Sequence, residues 1–422
     1  MKIQAPKGTK DILPAEVNAW TCLENEARLL FGQYGYKELH TPIFESTDLF
    51  KRGIGEETDI VQKEMYTFLD PKGRSLTLRP EGTASVVRAY MEHHLSQQGT
   101  LHKLFYMGPM FRYERPQTGR MRQFHQIGVE VLGSAVASLD AEVIIVLMRY
   151  LEAVGIENVT LKINTLGTAE DRENFQKILR DYLKGNLDQF CGDCHRRYET
   201  NVLRVLDCKQ TGCRALLKEA PSIADTVSEE ALAHFDEVCF FLDVAKISYQ
   251  KEPFLVRGLD YYTGTVFEVG CSSLGAQDAI AAGGRYDGLV KTMGGPDTPA
   301  VGFAFGIERL LVAKEVQGHG SVEIPREGIF LAALGEDAFQ LCFSVAEELR
   351  SQGHCVGIDH DRRSLKAQMR FADKAGFRWL ILTGDEELQK RMVQVKNLQE
   401  GTEEEVSIEG LLHWAQTKEL KI

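Results

Sequence analysis

Four arginines, Arg112, Arg115, Arg120 and Arg122, stand within eleven residues against a single carboxylate, Glu114. A guanidinium is permanently charged and offers a fixed fork of N–H donors, so such a cluster suits bidentate capture of phosphate or carboxylate. Arg112 ends one predicted strand and Arg122 begins the next, which lets both project from rigid backbone. Arg115, Gln117 and Arg120 lie on the connecting loop, free to meet a larger polyanion. Alone, the loop reads as a solvated basic hairpin. It leads, however, into a strand whose period-two alternation puts Arg122, Phe124, Gln126, Gly128 and Glu130 on one face. Gln, Gly and Glu in a row are poor core material and good pocket floor. A buried Glu130 needs a cationic or hydrogen-bonding partner, which an amine or imidazole ligand would supply.

Three further runs carry chemistry. Leu78-Arg79-Pro80-Glu81-Gly82-Thr83 sets a carboxylate and a hydroxyl at a strand-to-helix junction, either as a helix cap or as ligand groups. Arg257-Gly258-Leu259-Asp260-Tyr261-Tyr262 joins an arginine to two tyrosines, although simple alternation would put Arg257 and Tyr262 on opposite faces unless Gly258 bends the chain. Gly302–Leu310 places Arg309 in the early turns of an apolar helix expected near 303–315, where a surface ion pair is the plainer reading. Neither a P-loop nor a Rossmann glycine fingerprint is present, so any nucleotide would be held by arginines on an antiparallel sheet.

These side chains need elements to hold them. The spacing predicts a helix from Pro14, short strands around the turn at 70–73, and a helix from about Gly82 to Leu95. Strands follow at Leu104–Tyr113 and Arg122–Leu132, then a helix over 139–155. Residues 156–250 read as mostly helical with a cysteine-rich knot inside, and a strand returns at 261–270 before the glycine-dense stretch around Arg285 and Tyr286. Val316–Glu327 reads as a linker. Beyond it, strands at 328–334, 355–359 and 378–383 alternate with helices at 336–351 and 364–375, a small α/β domain.

The 422 residues suffice for two to four domains, and no apolar run is long enough to cross a membrane as a helix. A net charge of −12 argues against a general polyanion binder, so a nucleic-acid partner must be met by local basic patches. Nine cysteines without a signal sequence fit reduced thiols in the cytoplasm. Four of them, Cys191-x2-Cys194 and Cys208-x4-Cys213, have the spacing of a four-thiolate zinc site.

With these residues in view, the chain resembles the histidyl-tRNA synthetases, a class II aminoacyl-tRNA synthetase family, over nearly its whole length. The resemblance runs from Lys7-Gly8-Thr9-Lys10-Asp11-Ile12-Leu13-Pro14 through Leu78–Thr83, the arginine hairpin, Arg257–Glu268 and Gly302–Leu310 to Asp361-Arg362-Arg363-Ser364-Leu365-Lys366 and Val395-Lys396-Asn397-Leu398. The hairpin and Gly302–Leu310 match motifs of the whole class, whereas Arg-Gly-Leu-Asp-Tyr-Tyr is particular to this family. The implied fold is an α+β catalytic domain on an antiparallel sheet at 1–320, with a helical insertion over about 170–250. An α/β anticodon-binding domain at 328–422 completes it.

The resemblance also implies residue roles. Arg112, Arg257 and Arg309 would be catalytic, with Arg112 and Arg257 on the ATP α-phosphate and the histidine carboxylate and Arg309 on the ATP tail and adenine. Arg120 would join them on ATP, while Arg115, Gln117 and Arg120 would meet tRNA. Glu81, Thr83 and Gln126 would bind the α-amino group, Glu130 and Tyr262 would read the imidazole, and Tyr261 and Tyr286 would line the pocket. The substrates would be ATP, L-histidine and tRNA(His), with Mg²⁺ on the phosphates and no membrane. The enzyme would be a cytoplasmic homodimer joined through the N-terminal helix and Phe44–Gly55. Family members tend to carry serine or other residues at the cysteine positions, and the reaction needs no zinc, so the expectation is a metal-free knot. The rival reading is a catalytically inactive, synthetase-like regulatory subunit of ATP phosphoribosyltransferase. Such proteins tend to lack the C-terminal domain and lose motif residues, which are all present here.

Overall fold

A computed structural model describes residues 3–117, 119–259, 261–275, 278–319 and 326–418. The chain divides into two compact units, Met1–Val322 and Glu323–Ile422. Half of the expected linker at 316–327 lies outside the described residues; the helix before it reaches Val316, and the next strand begins at Glu327.

The first unit opens with helix α1 (Pro14–Gln33), short strands β1 (Lys37–Glu38) and β2 (Phe44–Ser46), and helix α2 (Thr47–Ile54). Strands β3 (Thr67–Leu69) and β4 (Ser75–Leu78) lead to helix α3 (Thr83–Glu92). Next come the long strands β5 (His102–Phe111) and β6 (Gln123–Leu132), helix α4 (Ala137–Ala153) and β7 (Val159–Thr165). Four helices follow: α5 (Ala169–Lys184), α6 (Gly192–Thr200), α7 (Thr211–Leu217) and α8 (Glu229–Val244). The unit closes with β8 (Gln250–Lys251), β9 (Thr263–Cys271), β10 (Ala279–Arg285), α9 (Leu289–Thr292), β11 (Ala300–Gly306) and α10 (Ile307–Val316).

Eight strands form one sheet in the order β1-β5-β6-β11-β10-β9-β7-β8. Its six long strands pair antiparallel, and the parallel pairings belong to the two-residue strands at the edges. Alternation decides what each face carries. Ile127, Val129 and Val131 of β6 enter a core shared with α1, α4, α8 and α10, whereas Leu132 and Phe124 of the same strand turn to the opposite face. Gln126, Gly128 and Glu130 lie on that opposite face, which carries the site.

Two predicted boundaries move. Phe303 and Phe305 alternate with Gly302 and Ala304 at period two, so 300–306 is strand β11 and the helix starts only at Ile307. The stretch from 156 is not helical at its start either. Leu161 and Ile163 alternate into the main core, making 159–165 a strand paired with β9. Helix α8 also buries Phe235, Val238 and Leu242 in that core, so it is packed into the body of the unit.

The second unit is built from β12 (Glu327–Ala333), α11 (Glu336–Ser351), β13 (Val356–Ile358), α12 (Leu365–Lys374), β14 (Phe377–Thr383) and α13 (Asp385–Lys390). Strands β15 (Met392–Asn397) and β16 (Glu403–Ser407) and helix α14 (Leu411–Thr417) complete it. The sheet order is β13-β12-β14-β15-β16, parallel through β14 and antiparallel beyond. The last two strands were not foreseen, although Val393 and Val395 bury alternately in the core. On α12, Lys366, Arg370 and Lys374 recur every fourth residue and are exposed, forming one basic stripe. Arg363 is instead bound to Asp359, and Arg362 to Glu336, so the basic stretch 351–380 is partly neutralised.

Candidate active site

Glu130 sits in the middle of the sheet, paired in register with Leu104 on one side and Gly302 on the other. Its side chain is 1 % exposed. Thr83 Oγ1 donates to Glu130 Oε1 at 2.6 Å, and the Tyr286 hydroxyl donates to Oε2. A Cβ on Gly302 would lie 2.0 Å from Glu130 Oε2, so glycine there makes room for the carboxyl. Gly82 and Gly128 do the same for Tyr106, whose ring would stand 2.2 and 2.3 Å from a Cβ at these positions. Burial pushes the Glu130 carboxyl up to about 8, against the two hydroxyl hydrogen bonds that favour ionisation. The result is a nearly neutral carboxyl at pH 7, able to donate to or accept from a ring nitrogen.

Around it the tyrosines close. Tyr261 lies 4.7 Å from Tyr262 and 5.6 Å from Tyr286, ring centre to ring centre. The described residues 255–259, 261 and 262 are irregular rather than strand, so alternation does not apply, and Arg257 and Tyr262 line a common cleft. Tyr286 is backed by Arg285, which donates to Asp140 through Nε at 3.1 Å and to Asp287 Oδ1 at 2.9 Å; His234 Nε2 lies 3.0 Å from Asp140. Burial would raise the Asp140 carboxyl, but His234 and Arg285 outweigh it and hold it below its ordinary value.

Glu81 takes the structural role left open by the sequence and keeps room for the other. It accepts from the backbone N–H of Thr83 at 2.6 Å and of Ala84 at 2.9 Å, capping α3. Burial raises this carboxyl, against the hydrogen bonds from Ala84 and Thr83 and the nearby Arg112, and acceptor capacity remains beyond the two amides. Gln126 Oε1 is buried without a hydrogen-bond partner among the described residues. An acceptor in that state marks a place where a donor is expected to arrive.

Beside this closed cluster lies a cavity of about 890 Å³ whose wall includes Arg112, Arg120, Gln126, Arg257, Glu268 and Arg309. Its size suits a nucleotide with a small amino acid. Arg112 and Arg122 fall one residue outside the strands, yet Arg112 N–H still donates to Arg122 O at 2.9 Å, extending the ladder into the hairpin. Arg112 is fixed by Nε donating to Pro80 O at 2.9 Å, with its guanidinium over Phe124 at 5.4 Å. Arg257 donates to Glu268 Oε2 at 2.6 Å. Arg309 is half-buried, not a surface residue; burial and then the adjacent Arg120 hold its guanidinium below the usual range. Such a concentration of cations in a partly dry site is a strong anion receptor.

The placement is therefore in two parts. Arg112, Arg120, Gln126, Arg257 and Arg309 share the cavity, while Glu81, Thr83, Glu130, Tyr261, Tyr262 and Tyr286 form the adjoining buried cluster. Gln126 and Glu130, four residues apart on one strand face, bridge the two. Arg115 and Gln117 are exposed on the hairpin, off the cavity wall. Sequence reasoning missed Tyr106, Glu268 and the Asp140–Arg285 pair. It also missed Arg204, Lys209 and Arg214, which reach the cavity from the helical segment. Their only sequence signal is a local excess of basic residues.

Comparison with known proteins fits this arrangement. The family described as histidyl-tRNA synthetase matches residues 8–310, and the anticodon binding domain matches 329–418. A histidine--tRNA ligase of Caldanaerobacter subterraneus subsp. tengcongensis is 48 % identical over 97 % of this chain and 99 % of its own length. One from Syntrophotalea carbinolica is 48 % identical over 97 % of each chain. The crystal structure of apo S. aureus histidyl-tRNA synthetase superimposes with a TM-score of 0.84 at 37 % identity, covering 98 % of this chain and 99 % of that one. A buried carboxyl among tyrosines, arginines around a nucleotide-sized cavity, and likeness along both units lead to one conclusion: the chain belongs to the histidyl-tRNA synthetase family.

Proposed function

We propose that this protein ligates L-histidine to tRNA(His) in two ATP-dependent steps. The observation that carries the reading is the union of the buried Glu130–Tyr286–Thr83 cluster with the arginine-walled cavity on one sheet face. Histidine enters with its imidazole toward Glu130 and Tyr262 and its α-amino group toward Gln126, Glu81 and Thr83. Its carboxylate then lies among Arg112 and Arg257. There it attacks the ATP α-phosphorus, forming a C–O–P bond as the bond to pyrophosphate breaks and giving histidyl-adenylate. Arg112 and Arg257 offset the charge gathering on the phosphoryl oxygens, and Arg309 and Arg120 hold the triphosphate and adenine. The terminal ribose hydroxyl of the tRNA next attacks the adenylate carbonyl, and AMP leaves. Rate enhancement rests on positioning and electrostatics, without a covalent enzyme intermediate.

A hydrogen-bonding imidazole site leaves its polar groups unpaired with an apolar amino acid, which gives strong rejection without a separate editing step. Glu64, Glu114 and Asp278 on the cavity wall are hard oxygen donors of the kind Mg²⁺ takes. Mg²⁺ on the β- and γ-phosphates would neutralise charge on the departing pyrophosphate. Arg115 and Gln117 on the hairpin, with Arg120, face the acceptor end of tRNA, and the basic stripe on α12 faces its anticodon arm. A homodimer is supported by the exposed apolar side chains Ile43, Phe44, Phe68 and Leu69 beside the three-stranded sheet β2-β4-β3. No helix among the described residues is long and apolar enough to cross a membrane, and the setting we infer is the cytoplasm. The test is direct: with ATP, histidine and a tRNA(His) transcript, the protein should form histidyl-tRNA. Failure on a transcript that a known ligase charges would refute the proposal.

A further inference from the structure

The helical segment between β7 and α8 folds four cysteines onto one point. Cys191 precedes α6 and Cys194 lies in its first turn, Cys208 follows the turn after Val205, and Cys213 sits in α7. Their sulfurs all lie within 4.8 Å of one another, and Cys191 Sγ stands 3.8 Å from Cys208 Sγ. Four thiolates on a tetrahedral zinc, with bonds of about 2.3 Å, put their sulfurs roughly 3.8 Å apart. Sequence spacing pointed to zinc while resemblance argued against a metal; convergence in space sides with the spacing. We infer that Cys191, Cys194, Cys208 and Cys213 form a structural zinc site.

Three further features fit a four-thiolate ion. A backbone N–H points into the cluster: Cys191 N–H donates to Cys213 Sγ at 3.3 Å, the kind of outer contact that orients a thiolate ligand. Cys194, Cys208 and Cys213 are buried and Cys191 half-buried, which shields the site and leaves it closed, as structural zinc sites are. Four thiolates on Zn²⁺ leave two negative charges. Residues 191–218 hold six Lys/Arg against three Asp/Glu, a local excess that compensates them.

The ion would brace part of the cavity wall. Leu206, Asp207, Cys208 and Lys209 line the cavity, and Arg204 Nη1 donates to Gly258 O at 3.0 Å, beside Arg257. The metal thus ties α6 and α7 to the loop that carries an α-phosphate arginine, and its role is positional rather than chemical.

Metal content of the full-length protein decides the matter, prepared without a metal-affinity step, kept reduced and passed over a chelating resin. We expect about one zinc per chain, and less than about 0.2 would overturn the assignment. Stoichiometric iron in place of zinc would overturn it too, as would disulfides among these four residues in protein isolated without reductant. Cys191→Ser, the most exposed of the four, should lower zinc content several-fold, whereas Cys22→Ser, exposed on α1, should leave it unchanged. Equal zinc in both variants would sink the proposal. Should Cys191→Ser fail to fold, Co²⁺ exchanged into the wild-type chain keeps the test alive. The intense visible bands and sulfur-to-metal charge-transfer absorption of tetrahedral thiolate Co²⁺ are expected. Weak octahedral bands alone would contradict the site. A strong chelator should also expose the 185–228 segment to limited proteolysis, a readout independent of activity; unchanged cleavage on metal removal would contradict the bracing role.

Discussion

Glutamine at position 130 keeps the size of the side chain and one oxygen acceptor while removing its ionisation. In the wild-type chain burial raises the Glu130 carboxyl from 4.5 to about 8. A carboxyl raised in the folded state keeps its proton to higher pH there than in the unfolded chain. Its contribution to stability is therefore intact below the unfolded value and is lost as pH rises through the folded one. At about 1.36 kcal/mol per unit, the loss between pH 4.5 and 8 reaches roughly 3–5 kcal/mol once some water entry is allowed for. Glutamine carries none of this dependence. Its amide meets Thr83 and Tyr286, whose hydroxyls both donate and accept, so its own cost is the same at every pH. Urea unfolding of both full-length proteins, followed by circular dichroism from pH 5 to 8.5, should show the stability difference shifting toward glutamine by several kcal/mol as pH rises. A difference that stays flat across this range would refute the assignment of a buried, proton-holding Glu130. The same variant should lose roughly up to 10-fold in kcat/KM for histidine in pyrophosphate exchange, the worth of one hydrogen bond to a neutral carboxyl, with tRNA affinity unchanged.

Gly302→Ala drives a methyl group to 2.0 Å from Glu130 Oε2 and should destabilise the first unit by about 1–3 kcal/mol in urea unfolding; a neutral result would mean Glu130 is not held where described. Arg257→Ala removes the cation we propose for the ATP α-phosphate and should depress adenylate formation by roughly 10²–10³-fold in single-turnover assays, with little effect on tRNA binding. Equal losses in both would contradict its role. Arg115→Ala with Gln117→Ala should weaken tRNA binding and flatten its dependence on salt by about one contact, leaving histidine-dependent exchange intact. Exchange falling in step with tRNA binding would place these side chains in the adenylation site instead.

Much of the site was legible because it rests on a strand with one apolar and one polar face. Ile127, Val129 and Val131 went to the core, which obliged Gln126 and Glu130 to face the other way. The Arg257–Tyr262 relation was not legible from periodicity, since the segment is irregular and only tertiary packing joins the two. Asp140 and Arg285 are 145 residues apart, and no local pattern connects a helix carboxylate to the end of a strand. The β11–α10 boundary was misjudged because Gly302, which reads as a helix-start signal, answers instead to the carboxyl of the adjacent strand. The four cysteines show the converse: spacing gave the pairs, but only the fold shows that the pairs meet.

Pyrophosphate exchange into ATP, run with each amino acid in turn and without tRNA, tests the central claim most directly. Glu130 and its tyrosines should make exchange depend on histidine, with the other amino acids near background. No exchange with histidine at saturating ATP, or equal exchange with an apolar amino acid, would contradict the account.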